Sequence, residues 1–480
     1  MALVAGIDTS TQSCTVVLRD ADDGRLVATS SAPHPATTPP VSEQDPEAWW
    51  TALRQAFGKL AAGDVRALSV DGQGHGLVAL DAANRVIRPA KLWNDTTSAP
   101  EARELVERLG RETWARRVGT VPTAAFTITK LLWVARHEPH NFARIAAVLL
   151  PADWVMYRLT GHFRTDRSAA SGTGYYAARE GAWLPDMLAL VGGEGWLPTL
   201  PEVVGPDDIA GIVTTEAGAE LGLAAGVLVG PGCNDQPPSA LAFGIRDGDV
   251  IISIGTSGTV YTRSDTQTAD PSGAVTGVAD ASGAFLPLVC TLNAAKVTDA
   301  FARILGVDHD ELAQLALAAP AAPDRPIVVP YLDGERTPNR PDSRGLVAGM
   351  RSDVTREQIA RAAFEGVVCG LLDGLEALGR AGARTDGRLI VTGGGAKSPA
   401  YRQLLADLSG RAVHTADIAE SAAAGAAVQA AAVLRGRRVI DVAAAWAPPL
   451  PVVAEPRSGQ ATDELRERYR RAAGMEALDG

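Results

Sequence analysis

Cysteine is scarce in this chain. Its 480 residues include four, Cys14, Cys233, Cys290 and Cys369. They lie far apart and never in CxxC spacing, which argues against a disulfide framework or a structural zinc site. Free thiols in a reducing compartment are the simple reading. Long apolar runs are also missing. The longest stretch of small apolar residues, Ala422 to Val433, is interrupted by Gln429. It is too short to span a bilayer and reads as a packed helix. The opening MALVAGIDTS has no basic segment followed by an apolar stretch, so it does not read as a secretory signal, and a cytoplasmic location is expected. Basic patches are few. The formal net charge is −11, and the short cluster Arg435 to Arg438, with Gly436 inside it, reads as a solvated loop. Such a chain suits neither nucleic acid nor an anionic membrane surface.

Two common nucleotide-binding signatures are absent as well. No Gly-x-Gly-x-x-Gly follows a strand into a helix. Gly395-Ala396-Lys397-Ser398 imitates the end of a Walker A loop, but Ala396 stands where that loop needs glycine and the upstream spacing is wrong.

What is present is ordinary globular material, 46% hydrophobic and 21% charged. Single cores rarely outgrow roughly 250–300 residues, so the length predicts two or three domains. A β-meander is predicted first: Leu3 to Asp8, Cys14 to Leu18, then Arg25 to Thr29 after the turn Asp22-Asp23-Gly24. Asp45-Pro46-Glu47 supplies a cap, a proline at the first helical position and an acidic first turn for a helix to about Ala62. Strands are predicted at Val65 to Val70, Gly76 to Leu80 and Val86 to Leu92. A mostly helical stretch follows from 96 to about 225. A second unit starts near 227, with a strand at Val227 to Gly230, a hairpin over Val250 to Arg263 and a strand at Ile327 to Pro330. A long helix from Thr355 to about Arg380 is followed by a strand at Leu389 to Thr392 and helices at Pro399 to Leu408 and Ser421 to Leu434. Ala461 to Leu478 reads as a charged surface helix that serves as a packing tail.

One internal echo stands out. GIDTSTQSCTVVL near the start and SIGTSGTVY at 253–261 share a plan of apolar strand, Thr/Ser-rich turn and β-branched strand. The echo predicts two related lobes with a site in the cleft between them. Both turns, Thr9-Ser10-Thr11 and Gly255-Thr256-Ser257-Gly258, could hold phosphate with backbone N–H groups and hydroxyls. Asp8, at the end of the first strand, could hold Mg²⁺ through water or simply cap the turn. Asp235 follows Gly230-Pro231-Gly232-Cys233-Asn234 and precedes a helix, so it is either a cleft carboxylate or an N-cap. Cys233 has no histidine partner motif and is not read as a nucleophile. His75 sits among Gly72, Gly74 and Gly76, which suggests close backbone approach and a contact to a sugar hydroxyl. Trp93-Asn94-Asp95 offers one ring face and two hydrogen-bonding side chains, a trio suited to a polyol.

Taken in order, these motifs resemble the FGGY family of carbohydrate kinases over nearly the whole chain. The resemblance is carried by GIDTSTQS, SEQDPEAWW (42–50), GQGHG (72–76), RPAKLWND (88–95), FTITKLLWVARHEP (126–139) and LPADWVMYRLTG (150–161). It continues with SIGTSGTVY (253–261), PYLDGERTPN (330–339) and TGGGAKSPAYRQLLADLSGR (392–411). It implies an α/β, two-lobed, actin-like ATPase (ribonuclease H-like) fold with the active site in the interdomain cleft. Residues 1–244 would form the N-terminal lobe, with the sugar site and first phosphate turn. Residues 245–445 would form the C-terminal lobe, with the second phosphate turn and adenosine segment, and 446–480 a helical tail. Asp8 would be the Mg²⁺-linked acid and Asp235 the general base. Thr9, Ser10, Thr11, Gly255, Thr256 and Ser257 would hold ATP phosphates, and Gly393, Gly394 and Gly395, with Lys397 nearby, would bind adenosine. Gly74, His75, Asp95, Asp235 and Gln236 would line the sugar pocket. The implied reaction is ATP- and Mg²⁺-dependent phosphorylation of D-xylulose to D-xylulose 5-phosphate, in a soluble protein that could form a homodimer. Two pocket positions depart from the branch that uses xylulose. Gly74 replaces a larger residue, and Gln236, followed by two prolines, replaces asparagine. Another ketose or a sugar alcohol is therefore the alternative substrate. An actin-like ATP-binding protein without kinase activity is the minor one.

Overall fold

Two seven-stranded sheets, built to one plan, organise the chain. The structure, a computed structural model, describes residues 2–320, 322, 324–457 and 462–476. In the first sheet β1 (Leu3–Thr9), β2 (Ser13–Asp20) and β3 (Leu26–Pro33) form an antiparallel meander, and β4 (Val65–Gly72) returns parallel to β1. The short strands β5 (Gly211–Ile212), β6 (Leu228–Val229) and β7 (Cys233–Asn234) complete it. The order is β5-β6-β4-β1-β2-β3, with β7 also paired to β4.

The second sheet repeats the pattern. β8 (Val250–Ile254) and β9 (Gly258–Thr262) are an antiparallel hairpin, followed by β10 (Thr276–Ala279) and β11 (Phe285–Thr291). β12 (Leu389–Thr392) lies parallel to β8, with β13 (Val413–His414) and β14 (Val452–Ala454) beyond it. The order is β10-β11-β9-β8-β12-β13-β14. The echo seen in the sequence is therefore a repeat of topology, and the α/β two-lobed fold is as expected.

β1 is buried on both faces, which explains its unbroken apolar run. Leu3, Ala5 and Ile7 point into a core with Trp49, Leu53 and Trp154. Val4, one residue out of phase, joins Val17 and Ala67 beneath the helix Ser421–Arg435. That helix comes from the second half of the chain but lies on the first sheet. It approaches so closely that a Cβ on Gly6 would sit 2.6 Å from the backbone nitrogen of Ala427. The Ala-rich composition is what permits this approach, and Gln429 reaches across to Ser69 Oγ and the Gly232 carbonyl.

Several element limits differ from expectation. The first helix is Pro46–Phe57, capped by the Asp45 side chain, and stops short of Ala62 because Gly58 closes the last turn with its N–H on the Arg54 carbonyl. Of Val86 to Leu92 only Ala90–Lys91 is a strand, since Pro89 has no N–H for a ladder. The 96–225 region is helical but carries short strand pairs such as Arg164–Asp166 with Glu202–Val204. The helix Arg356–Arg380 starts at a Thr355/Gln358 capping box. The tail helix is Thr462–Glu476; Ala461, Ala477 and Leu478 lie outside the described residues. It does act as packing, with Leu465 and Tyr469 in the second core and Arg466 paired to Asp373 and Glu376. No helix among the described residues is long and apolar enough to cross a membrane, and the four cysteines are free.

Candidate active site

Parallel strands present their C-terminal ends on one edge of a sheet, where loops can meet a ligand. β1 and β4 end there together, with Asp8 opposite Asp71 and Thr9 opposite Gly72. β7 joins the same edge, with Cys233 opposite Asp71, and delivers Asp235 next in the chain. Three carboxylates thus converge. Burial pushes Asp8 up to about 7, and the charges of Asp235 and Glu420 add to the shift. Burial, then the charge of Asp8, raises Asp71 as well. Burial lifts Asp235 to about 6, offset by hydrogen bonding to Gln236. Apart from a proton shared between Asp8 and Asp71, both oxygens of Asp71 and one of Asp8 are buried without a hydrogen-bond partner. Asp235 occupies the N-cap position of the helix Gln236–Ala242, yet its side chain makes no capping hydrogen bond.

The β1–β2 turn is closed by Ser10, whose N–H and Oγ both donate to the Ser13 carbonyl. The Thr9 hydroxyl and the Gln73 amide nitrogen are buried without partners beside it. Thr11 Oγ1 donates to Gln73 Oε1 at 3.3 Å and accepts from Trp93 Nε1 at 2.9 Å, tying this turn to the Gly72–Gly76 and Trp93–Asp95 segments. The second turn, Gly255 to Ser257, leaves Thr256 and Ser257 exposed while Gly255 donates to the Ser257 carbonyl. β12 ends beside it, Ser253 opposite Thr392, and runs into Gly393, Gly394 and Gly395. Gly393, at φ 84°, and Gly395 back directly onto Ile254, where any Cβ would collide. Gly394 and Lys397 stay exposed.

In the Gly72–Gly76 segment, His75 Nδ1 lies 2.7 Å from the Gly172 carbonyl. Nδ1 must therefore donate, which leaves Nε2 as an acceptor. Burial drops the ring to about 4, so it is neutral, and it packs 4.6 Å from Phe126. His75 has φ 64°, uncommon for a residue with a side chain and a frequent mark of functional sites. Gly74 lies against the Asn234 carboxamide, and Gln236 is half-buried beside Asp235. Asp95 is fully enclosed. It accepts from the N–H groups of Ser42 and Thr97 and pairs with Lys91 Nζ at 3.1 Å, while Trp93 stays exposed.

The structure thus gathers Asp8, Thr9 to Thr11 and Asp235 on one sheet edge, and Gly255 to Ser257 with Gly393 to Gly395 on the matching edge of the other sheet. Asp71, Gln73, Asn234, Arg336 and Glu420 were not singled out from the sequence. Arg336 acts electrostatically on His75, and Glu420 on Asp8. Asp71 had a readable signal, since SVDG repeats the strand-then-aspartate pattern of AGID. Asn234, Arg336 and Glu420 reach the site only through tertiary contact.

An acidic, buried edge beside a hydroxyl-lined turn suits a hydrated divalent cation carrying a nucleotide's phosphates. Among the described residues no cluster of three or more His, Cys, Asp or Glu side chains forms a ready metal shell. Phosphate and water would therefore supply most of the cation's ligands.

Comparison with known proteins agrees with this geometry. The N-terminal domain of the FGGY family of carbohydrate kinases matches residues 3–242 and its C-terminal domain residues 250–434. The chain is 44% identical to the xylulose kinase of Streptomyces coelicolor over 448 residues, 92% of this chain and 90% of that protein. It is 36% identical to the xylulose kinase of Escherichia coli over 423 residues, 85% of this chain and 84% of that one. The crystal structure of xylulose kinase from Bifidobacterium adolescentis superposes with TM-score 0.87 at 39% identity, covering 98% of this chain and 99% of that one. A second, described as a xyloylose kinase from Brucella ovis, gives 0.92 at 31% identity, covering 99% and 100%. With both domains matched in order over most of its length, this chain belongs to the FGGY family of carbohydrate kinases.

Proposed function

We propose that the protein transfers the γ-phosphoryl group of Mg·ATP to the C5 hydroxyl of D-xylulose, giving D-xylulose 5-phosphate, in the cytoplasm. The observation that carries this reading is Asp235. It is a carboxylate at the end of β7, free of capping duty and next to the Asp8 edge. Lifted to about 6, it is still ionised at neutral pH and can accept a hydroxyl proton late in the transfer. Thr9, Ser10 and Thr11 on one lobe and Gly255, Thr256 and Ser257 on the other position the phosphates in line with that hydroxyl. Gly393 to Gly395, with Lys397, hold the adenosine. Mg²⁺ near Asp8 would neutralise charge on the transferring group. Positioning and charge stabilisation supply most of the rate, and lobe closure keeps water from competing. In this reading residues 1–244 carry the sugar site, 245–445 the nucleotide site and 446–480 the packing tail.

ADP release from Mg·ATP, with and without D-xylulose, tests the reading. Strong stimulation by D-xylulose, with D-ribulose, glycerol and xylitol inert, is expected. Equal release with and without any sugar would remove the kinase assignment. A second reading, another ketose or a sugar alcohol as substrate, rests on Gly74 and Gln236, which depart in residue type from the branch that uses xylulose.

A further inference from the structure

Gly74 has a negative φ, so no backbone constraint demands glycine there. What excludes a side chain is Asn234. A Cβ built on Gly74 would lie 2.7 Å from Asn234 Nδ2 and closer still to Oδ1. Asn234 itself is held firmly. It is 7% exposed and lies opposite Gly72 in the β7–β4 pairing, and its N–H donates to Ser168 Oγ at 3.0 Å. Its Oδ1 accepts the backbone N–H of Asp235 at 2.8 Å. That bond fixes which way the amide points, since only oxygen can accept there. Nδ2 is left as a donor over Gly74, with no acceptor among the described residues. On the next residue, His75 presents Nε2 as an acceptor.

We propose that Asn234 is a sugar-contacting and positioning residue, and that glycine occupies position 74 to admit its carboxamide. The inference rests on the sugar-pocket reading of Gly74 and His75. Nδ2 donates to a substrate hydroxyl while His75 Nε2 accepts from the same or a neighbouring one. A donor and an acceptor on adjacent segments match the vicinal hydroxyls of a polyol chain, each of which both donates and accepts. Through Oδ1 the same amide holds the backbone of Asp235, coupling sugar recognition to the orientation of the base.

The test is a double-mutant cycle on the full chain, using Gly74→Ala, Asn234→Ala and the double variant. Melting temperature, kcat, and KM for sugar and for ATP are read for each, with whichever sugar of the panel the wild type turns over. The tip of a side chain is easier to displace than backbone, so Gly74→Ala should push the carboxamide out of place and leave the fold intact. Both single variants should raise sugar KM about tenfold, the usual scale for one neutral hydrogen bond. ATP KM should be unchanged, and the double variant should be no worse than either single. Additive effects, or melting temperatures that fall while sugar KM stays put, would overturn the inference and leave the kinase reading standing. A wild type inert with every sugar would remove both.

Discussion

Asp8 and Asp71 face each other in register on neighbouring parallel strands, close enough to share a proton in a side-chain hydrogen bond. Two ionised carboxylates so placed repel, which favours a proton on one of them. Both carboxyls titrate higher in the folded chain than in the unfolded one, so folding tightens their hold on protons. Stability is then full below the unfolded value and is lost as pH rises, for Asp8 from 3.8 towards about 7. Asp71→Asn keeps the shape and removes one charge. Thermal melts without nucleotide should show the wild type losing stability from about pH 4 to about pH 7, with a flatter profile and a higher midpoint at pH 8 for Asp71→Asn. Identical profiles would show that the pair does not interact.

Asp235→Asn should lower kcat by about 10²–10⁴-fold, the range for a lost general base, with sugar KM little changed. Because the base must be ionised to accept a proton, wild-type kcat/KM should fall as pH drops below about 6. A profile flat from pH 8 to 4.5, or a retained rate in the variant, would reassign the proton to another acceptor.

Gly172 admits the His75 ring as Gly74 admits Asn234. A Cβ on Gly172 would lie 2.6 Å from His75 Nδ1, the atom that donates to the Gly172 carbonyl. Gly172→Ala should therefore reproduce His75→Ala, with sugar KM raised about tenfold and ATP KM unaffected. Wild-type sugar KM in Gly172→Ala would mean that His75 is not held by this contact.

Asp95 separates two roles. Its charge is matched by Lys91, buried like itself, and its oxygens serve Ser42 and Thr97. Asp95→Ala leaves buried donors and part of a buried cation unpaired, which costs about 3–5 kcal/mol. Urea unfolding should show the loss. An undiminished unfolding midpoint with a raised sugar KM would instead make Asp95 a direct sugar contact.

Much of this was legible in the sequence. The paired strand–turn–strand units showed because β-branched runs flank short hydroxyl-rich turns, a local pattern that needs no tertiary knowledge. Asp235 was legible only as a choice between base and cap, and the missing cap bond is a property of side-chain geometry. Asp71 was not singled out because its partner, Asp8, is 63 residues away in the chain. The helix at Pro46–Phe57 was extended too far because the apolar spacing continues through Leu60 and Ala62, which pack as loop residues. Asn234 could not be seen from its neighbours at all, since its importance lies in a glycine that belongs to another strand's loop.

The helix Ser421–Arg435 has a consequence for how the chain is made. It covers Val4, Val17 and Ala67, residues synthesised well before it. Until that helix is made, the rear of the first sheet lacks the cover that buries Val4, Val17 and Ala67. The N-terminal half therefore cannot finish folding during synthesis. Cut off near residue 244, it would be expected to aggregate, and to be rescued by supplying the C-terminal half in trans.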